Sequence, residues 1–385
     1  MKEVMLFFSL VMLLMFLISV AGIRVLLPLF PLNQKRKVLW LMLGVDILSI
    51  AGIAGSKTVF RDFPFAATGI KLIVIWLMFQ LILIVFSAVI VAGTFFYHKC
   101  QRDAKPIDAA RRRFIMKAMM LPAAAGLTAY GSFYESGAII DTYHDIALPE
   151  LPRELDGFKI CQISDVHLGL FFSLEKLEEL LQRIILQRPD VLMITGDVFD
   201  DTTQNEQAVQ MIDSYAKEFS QGVYFCWGNH EYMKGIVKLE ALMEKTSIKV
   251  LCSSSEVLLN SKPPLYVLGA DYPQIRDQGR AEEIKVSMDL ALAGVPANAI
   301  KILLAHHSLF FDPAFAAGID LTLAGHTHGG QLGFCGIPLV PLFKYTRGMY
   351  RQGSSYGYVN SGAGSWFPFR CGCPPEITYF TLKNQ

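Results

Sequence analysis

Charge is the scarce commodity in this chain. Asp, Glu, Lys and Arg make up 18% of its 385 residues while 52% are hydrophobic, and mean hydropathy is +0.38. That balance excludes a wholly soluble globular chain, and the deficit is uneven. Val4 to Ile23 contains no charged residue, and Leu72 to Tyr97 is a longer run of the same kind. Each exceeds the ~20 residues a helix needs to cross a bilayer. Val38 to Ser56 qualifies apart from Asp46, and a shorter segment from Ala118 to Phe133 is broken by Pro122. The expectation is an all-α transmembrane region of about four helices over residues 1–135 (spans 4–23, 38–56, 72–97 and 118–133). A linker at 136–152 and a second domain at 153–385 follow. No internal repeat and no low-complexity tract occurs.

Two other shortages narrow the reading. Seven cysteines is an odd count, so a disulfide framework within one chain cannot be complete. Cys161 and Cys226 lie in apolar runs and read as buried thiols, and Cys100 sits near the end of the third span. Cys335, Cys371 and Cys373 are the group capable of redox chemistry, with a disulfide from Cys335 to one of the other two as one option. Positive charge is lacking where a nucleic-acid binder would need it. Residues 150–385 carry 20 Lys and Arg against 26 Asp and Glu, a net of about −6, so bulk charge argues against nucleic acid.

The remaining basic residues orient the membrane region. Lys35, Arg36 and Lys37 lie between the first two spans; Lys99, Arg102, Lys105, Arg111, Arg112, Arg113 and Lys117 lie between the third and fourth. The positive-inside rule makes both loops cytoplasmic and puts the N-terminus outside. The C-terminal domain is then on the outer (periplasmic or extracellular) side of a multi-pass inner-membrane protein; if the fourth segment does not cross, it is cytoplasmic. Arg111-Arg112-Arg113-Phe114, followed by an Ala-rich stretch, reads either as a twin-arginine export signal or as an ordinary basic flank.

What the chain does have is a set of five short motifs in its C-terminal half. They are Asp165-Val166-His167, Gly196-Asp197, Gly228-Asn229-His230-Glu231, His306, and Gly325-His326-Thr327-His328. Strand-like and helix-like segments alternate here, implying a layered α/β domain. Each motif falls at or just past the end of an apolar strand, where ligands gather in α/β sheets. Asp165, His167, Asp197, Asn229, His306, His326 and His328 are oxygen and imidazole donors suited to Mn²⁺, Fe or Zn²⁺. Seven candidates are too many for one tetrahedral site and about right for two metals sharing a carboxylate.

D-x-H, GD, GNH[DE], H and GHxH in this order resemble the calcineurin-like metallophosphoesterase superfamily, over roughly Gly157 to Leu382. The stretches Leu323–Gln331 and Cys373-Pro374-Pro375-Glu376-Ile377 are similar to its membrane-anchored bacterial branch, which includes enzymes acting on UDP-2,3-diacylglucosamine. The resemblance implies a layered β-sandwich flanked by helices. It also implies two divalent metal ions, with Asp165, His167 and His328 on the first, Asn229, His306 and His326 on the second, and Asp197 bridging. The implied reaction is hydrolysis of phosphate mono- or diesters by a metal-bridging hydroxide, with His230 protonating the leaving group and Glu231 a candidate to orient it. His306 rather than His307 is the expected ligand, although Ser308 stands where the family usually has proline. Arg347, Arg351 and Arg370 are candidate phosphate or headgroup contacts, because guanidinium matches phosphate geometry. Trp366, Phe367 and Phe369 form an aromatic patch suited either to a lipid surface or to a core. The substrate is a phosphate ester, lipid-linked or nucleotide-sugar substrates being options. Alternatives are a UDP-2,3-diacylglucosamine pyrophosphate hydrolase and, from a different class, a non-catalytic metal-binding scaffold or membrane sensor.

Overall fold

The computed structural model describes residues 2–55, 66–100, 114, 116–149, 151–275, 278–334, 337–339 and 341–384. The arginines of the export-signal reading, Arg111 to Arg113, and Cys335 lie outside the described residues. The chain divides into two compact units, Met1–Tyr134 and Glu135–Gln385.

The first unit is helical: α1 (Lys2–Leu26), α2 (Leu32–Gly55), α3 (Ala66–Cys100) and α4 (Leu121–Ala129). Among the described residues two helices, not four, are long and apolar enough to cross a membrane. They cover Leu10–Leu29 and Ala67–Tyr97, with mean hydropathies of 2.6 and 2.8. The expectation of about four spans fails for identifiable reasons. Lys35, Arg36, Lys37 and Asp46 dilute α2, and α4 is 9 residues long, continued by π-type turns at Met116–Met120 and Tyr130–Tyr134. Asp46 is not stranded among apolar side chains: its Oδ1 accepts from Trp76 Nε1 at 2.7 Å and from Gln80 Nε2 at 2.9 Å, which ties α2 to α3.

The second unit holds two six-stranded sheets and a small hairpin. The first sheet takes β1 (Ile140–Leu148), β2 (Lys159–Ile163), β3 (Val191–Ile194), β4 (Val223–Phe225) and β5 (Lys249–Val250). The second takes β6 (Ser254–Leu259), β7 (Leu265–Gly269), β8 (Ile300–Leu304) and β9 (Leu321–Ala324). The hairpin is β10 (Gly333–Phe334) with β11 (Ile337–Pro338); β12 (Gly348–Gln352) and β13 (Ser355–Val359) complete the second sheet, and β14 (Glu376–Asn384) returns to the first. The spatial orders are β1-β14-β2-β3-β4-β5 and β12-β13-β9-β8-β7-β6.

Alternate residues of each central strand feed different cores. Ile160, Val191, Met193, Phe380 and Leu382 face Leu265, Val267, Ile302, Leu321 and Leu323 of the other sheet. Cys161, Ile163, Leu192 and Ile194 point the opposite way and pack on α5 (Leu174–Leu186) and α6 (Asn205–Ala216). Both faces are covered, so these strands read as continuous apolar runs. In α5 the buried residues are Leu177, Leu180, Leu181 and Ile184, one face of a helix, and the Ser173 hydroxyl caps its N-terminus. The helix holding Ile284 and Met288 covers the far face of the second sheet. Helices, sheet, sheet and helices form the expected layers.

Segment 136–152, read from sequence as a linker, instead supplies β1, which pairs in parallel with β14 from Ile140↔Glu376 to Leu148↔Asn384. Ile146 and Leu148 enter the inter-sheet core while Tyr143 stays exposed. That half-polar alternation of an edge strand is what looked like a linker.

Candidate metal centre

The strands β2, β3 and β4 run parallel, as do β7, β8 and β9, so each set has one carboxyl edge. Asp165 follows β2, Asp197 follows β3, Asn229 follows β4, His306 follows β8, and His326 and His328 follow β9. The structure brings all seven predicted donors together there. Asp165, His167, Asp197, His326 and His328 all have positive φ, between 49° and 71°. Non-glycine residues rarely adopt that region, and such strain gathers at functional sites. The backbone is also crowded: a Cβ on Gly196, whose φ is +79°, would lie 2.6 Å from the Gly228 nitrogen and 2.9 Å from His306 Nδ1.

The donors fall into three groups linked in a chain through His167 and Asp197. Asp165, His167 and His328 form one; Asp197, His306 and His326 form another; His167, Asp197 and His230 lie between. His167 Nε2 is 3.1 Å from His328 Nε2 and 3.7 Å from Asp165 Oδ1. His306 Nε2 is 3.1 Å from Asn229 Oδ1, 3.2 Å from His326 Nδ1 and 3.3 Å from Asp197 Oδ2. That Asp197 oxygen is also 3.9 Å from His167 Nε2. His306 Nδ1 donates to the Thr195 carbonyl at 2.7 Å, and His167 Nδ1 faces Asp200 Oδ2 at 3.1 Å. Bonds at Nδ1 leave both Nε2 atoms aimed inward, as in metal-ligating imidazoles.

Divalent cations fit this donor set. Acceptor atoms converge on one another, and Asp165 Oδ1 is buried without any hydrogen-bond partner. Without a cation the electrostatics are resolved by protons. Burial disfavours charged His167, yet the neighbouring carboxylates of Asp165 and Asp200 outweigh it and raise its pKa to about 10. Burial likewise opposes charge on His306, but the Asp197 carboxylate lifts it to about 9. Asp197 is itself held down to about 2: burial works against its charge, and His306 overcomes that. Burial and neighbouring His306 lower His326 to about 4, and burial drives His307 down to about 2. His307 belongs to no donor group; its Nδ1 accepts from the Leu309 amide and its ring packs on Phe343.

Two acidic residues hold the site from behind. Glu231 is fully buried and does not orient His230, contrary to expectation. Its oxygens accept from four backbone amides: Asp197 (2.9 Å), Val198 (2.7 Å), Phe199 (3.2 Å) and Gly228 (2.9 Å). Asp200, which sequence reasoning missed, takes the orienting role. One of its oxygens meets His230 Nδ1 and the other His167 Nδ1. The signal was an acid three residues after Asp197. His230 Nε2 lies 3.9 Å from Asp197 Oδ2, with 19% of its side chain exposed.

The three arginines do not converge as free phosphate clamps. Arg370 is fully buried, donating to the Gly364 and Cys373 carbonyls and to His328 Nδ1 at 3.1 Å. It acts behind a ligand, which rules out the direct headgroup contact expected of it. Arg347 Nη1 donates to the Gly372 carbonyl, and exposed Arg351 lies over the Tyr356 ring. The aromatic patch also splits, Trp366 exposed and Phe369 buried. Tyr272 was not anticipated; its ring lies 5.8 Å from that of His306 and 6.0 Å from that of His326.

Parallel strand ends that deliver clustered His, Asp and Asn donors to one edge define a candidate site for divalent metal. Comparisons make the family specific. A model described as calcineurin-like phosphoesterase matches residues 158–330. The uncharacterized metallophosphoesterase YkuE of Bacillus subtilis is 33% identical over 298 residues, spanning 71% of this chain and 98% of that protein. The phosphodiesterase YaeI of Escherichia coli K12 is 26% identical over 71% of this chain and 99% of its own length. A zebrafish transmembrane protein with metallophosphoesterase domain is 29% identical, over 62% of this chain and 56% of that protein. The chain belongs to the calcineurin-like phosphoesterase family, a family of metal-dependent phosphoester hydrolases. Its apolar helices and the transmembrane relative point to membrane association.

Proposed function

We propose that this chain is a membrane-anchored, dinuclear phosphoesterase acting on phosphate mono- or diesters. Asp165, His167 and His328 would hold one divalent ion, Asn229, His306 and His326 the second, and Asp197 both. The observation that carries this reading is the position of Asp197 Oδ2, within 4 Å of both His167 Nε2 and His306 Nε2. Mn²⁺, Fe or Zn²⁺ suit the mixed His, Asp and Asn donors. When bound, such a pair would supply Lewis acidity to the phosphoryl oxygens and make water a better nucleophile at neutral pH. The protein's own part is to place the donors and to move one proton. Asp200 pins His230 through Nδ1, so Nε2 is the atom that delivers a proton to the departing oxygen.

With α4 only 9 residues long, the basic residues after α3 (Lys99, Arg102 and Lys105) place the catalytic unit that follows them on the cytoplasmic side by the positive-inside rule.

The test uses the full chain in detergent with added Mn²⁺ and two probes, p-nitrophenyl phosphate and bis-p-nitrophenyl phosphate. Asp197→Asn and His230→Ala should each abolish metal-dependent turnover, and metal content should fall only in the first. Stoichiometric metal without turnover of any ester would instead favour the scaffold reading.

A further inference from the structure

The loop that leaves the metal centre carries an apolar face that the hydrolytic reading does not use. After His328 the chain forms the β10–β11 hairpin, in which Phe334 and Ile337 are cross-strand partners on the same face. Phe334, Ile337, Leu339 and Leu342 are 64–79% exposed. No residue from Gln331 to Phe343 is charged, and the first cation after them is Lys344. Four large apolar side chains displayed within nine residues mark a contact surface.

The base of this segment is firmly tied to the site. The Gly333 amide donates to the Cys371 carbonyl at 2.7 Å, and the Leu339 amide to the Leu332 carbonyl at 2.8 Å. The Thr327 hydroxyl, between the two ligand histidines, donates to the Thr346 carbonyl. The Phe343 ring packs 5.6 Å from His326. An apolar tip on a fixed base beside the reacting atoms is built to hold the site against something apolar.

We infer that Phe334, Ile337, Leu339 and Leu342 dock on the lipid bilayer surface, so that the preferred substrates are phosphate esters whose apolar part is embedded in that bilayer. The occupant follows from the chain itself: α1 and α3 have the length and hydropathy of membrane helices, and the catalytic unit follows them in the same polypeptide. A bilayer is therefore the apolar partner at high effective concentration. This inference rests on the phosphoesterase reading above.

The experiment reconstitutes the full chain in phosphatidylcholine vesicles containing dioleoyl phosphatidic acid, with p-nitrophenyl phosphate as the soluble probe. A variant combining Phe334→Ser, Ile337→Ser, Leu339→Ser and Leu342→Ser should keep soluble turnover within about twofold and lose tenfold or more on the vesicle lipid. Separately, Leu342→Trp should add emission that brominated lipid quenches, a readout independent of turnover. Equal effects of the serine variant on both substrates, or added emission that is not quenched, would overturn the docking. Dissociation of a wild-type dimer by the serine substitutions, with vesicle turnover intact, would assign the face to a second copy. If the wild type hydrolyses neither substrate while Leu342→Trp is quenched, the phosphoesterase reading fails and the docking stands.

Discussion

Replacing Glu231 by Gln isolates what one buried carboxylate does for this site. Burial and the adjacent Asp197 push its carboxyl above the usual range, yet four amides point at its two oxygens, so both must act as acceptors. Oε2 receives Asp197 and Gly228; Oε1 receives Val198 and Phe199. A glutamine keeps one acceptor oxygen and turns the other into an NH₂ donor. Whichever way the amide lies, two backbone N–H groups then face a donor. An unsatisfied buried donor costs about 1–3 kcal/mol, giving roughly 2–6 kcal/mol in total. That is a large part of the ~5–15 kcal/mol that stabilises a typical domain. At ~2–4 °C per kcal/mol, melting of the catalytic unit should fall by roughly 5–20 °C. Thermal unfolding of the full chain in detergent, followed by tryptophan fluorescence, reads this, because Trp227 is buried against Phe225 inside the unit. Bound metal should fall as well, since the Asp197 and Gly228 turns lose their common anchor. A variant that melts within about 1 °C of wild type would refute the anchoring. If it also lost activity, Glu231 would belong with His230 rather than with the backbone.

Three further outcomes separate the site's parts. Asp200→Ala leaves the backbone turns alone and removes the acceptors of both His230 and His167, so kcat on p-nitrophenyl phosphate should drop ~10²-fold with little change in melting, as loss of a positioned acid implies; unchanged kcat would remove Asp200 from the reaction. In the metal-free protein His167 and His306 have raised pKa values, so their stabilisation is complete below about 6.5 and disappears as pH rises through about 9–10. Cation uptake near neutral pH must displace those protons, so calorimetry in buffers of different ionisation heat should register proton release, and metal affinity that ignores pH would count against the ligand set. Finally, a soluble fragment beginning at Glu135 should fold, whereas one beginning at Leu151 lacks β1, bares the β14 edge and should aggregate; equal solubility would show β1 to be dispensable.

How much of this was legible beforehand depended on where the physics resides. The seven donors could be read because metal chemistry demands particular residue types, and a buried parallel strand announces its end by the close of an apolar run. His306 was told from His307 by the family resemblance, which puts the ligand directly after the strand. Glu231 lost its expected role to Asp200, to which no role had been assigned, for the opposite reason. Which carboxylate meets an imidazole and which meets backbone amides depends on the left-handed turn at Asp197, and no residue type advertises that turn. Arg370 looked like a phosphate clamp because sequence does not reveal burial, and a guanidinium serves equally well behind a ligand. The edge strand β1 hid in a polar alternation that a linker shares. The span count was overstated because hydropathy was judged segment by segment, when α2 carries three basic residues at its start and Asp46, whose Oδ1 is answered by Trp76 and Gln80 of its neighbour. In each case the residue type was visible and its partner was not, and the partner decides whether a polar side chain reacts, supports or simply packs.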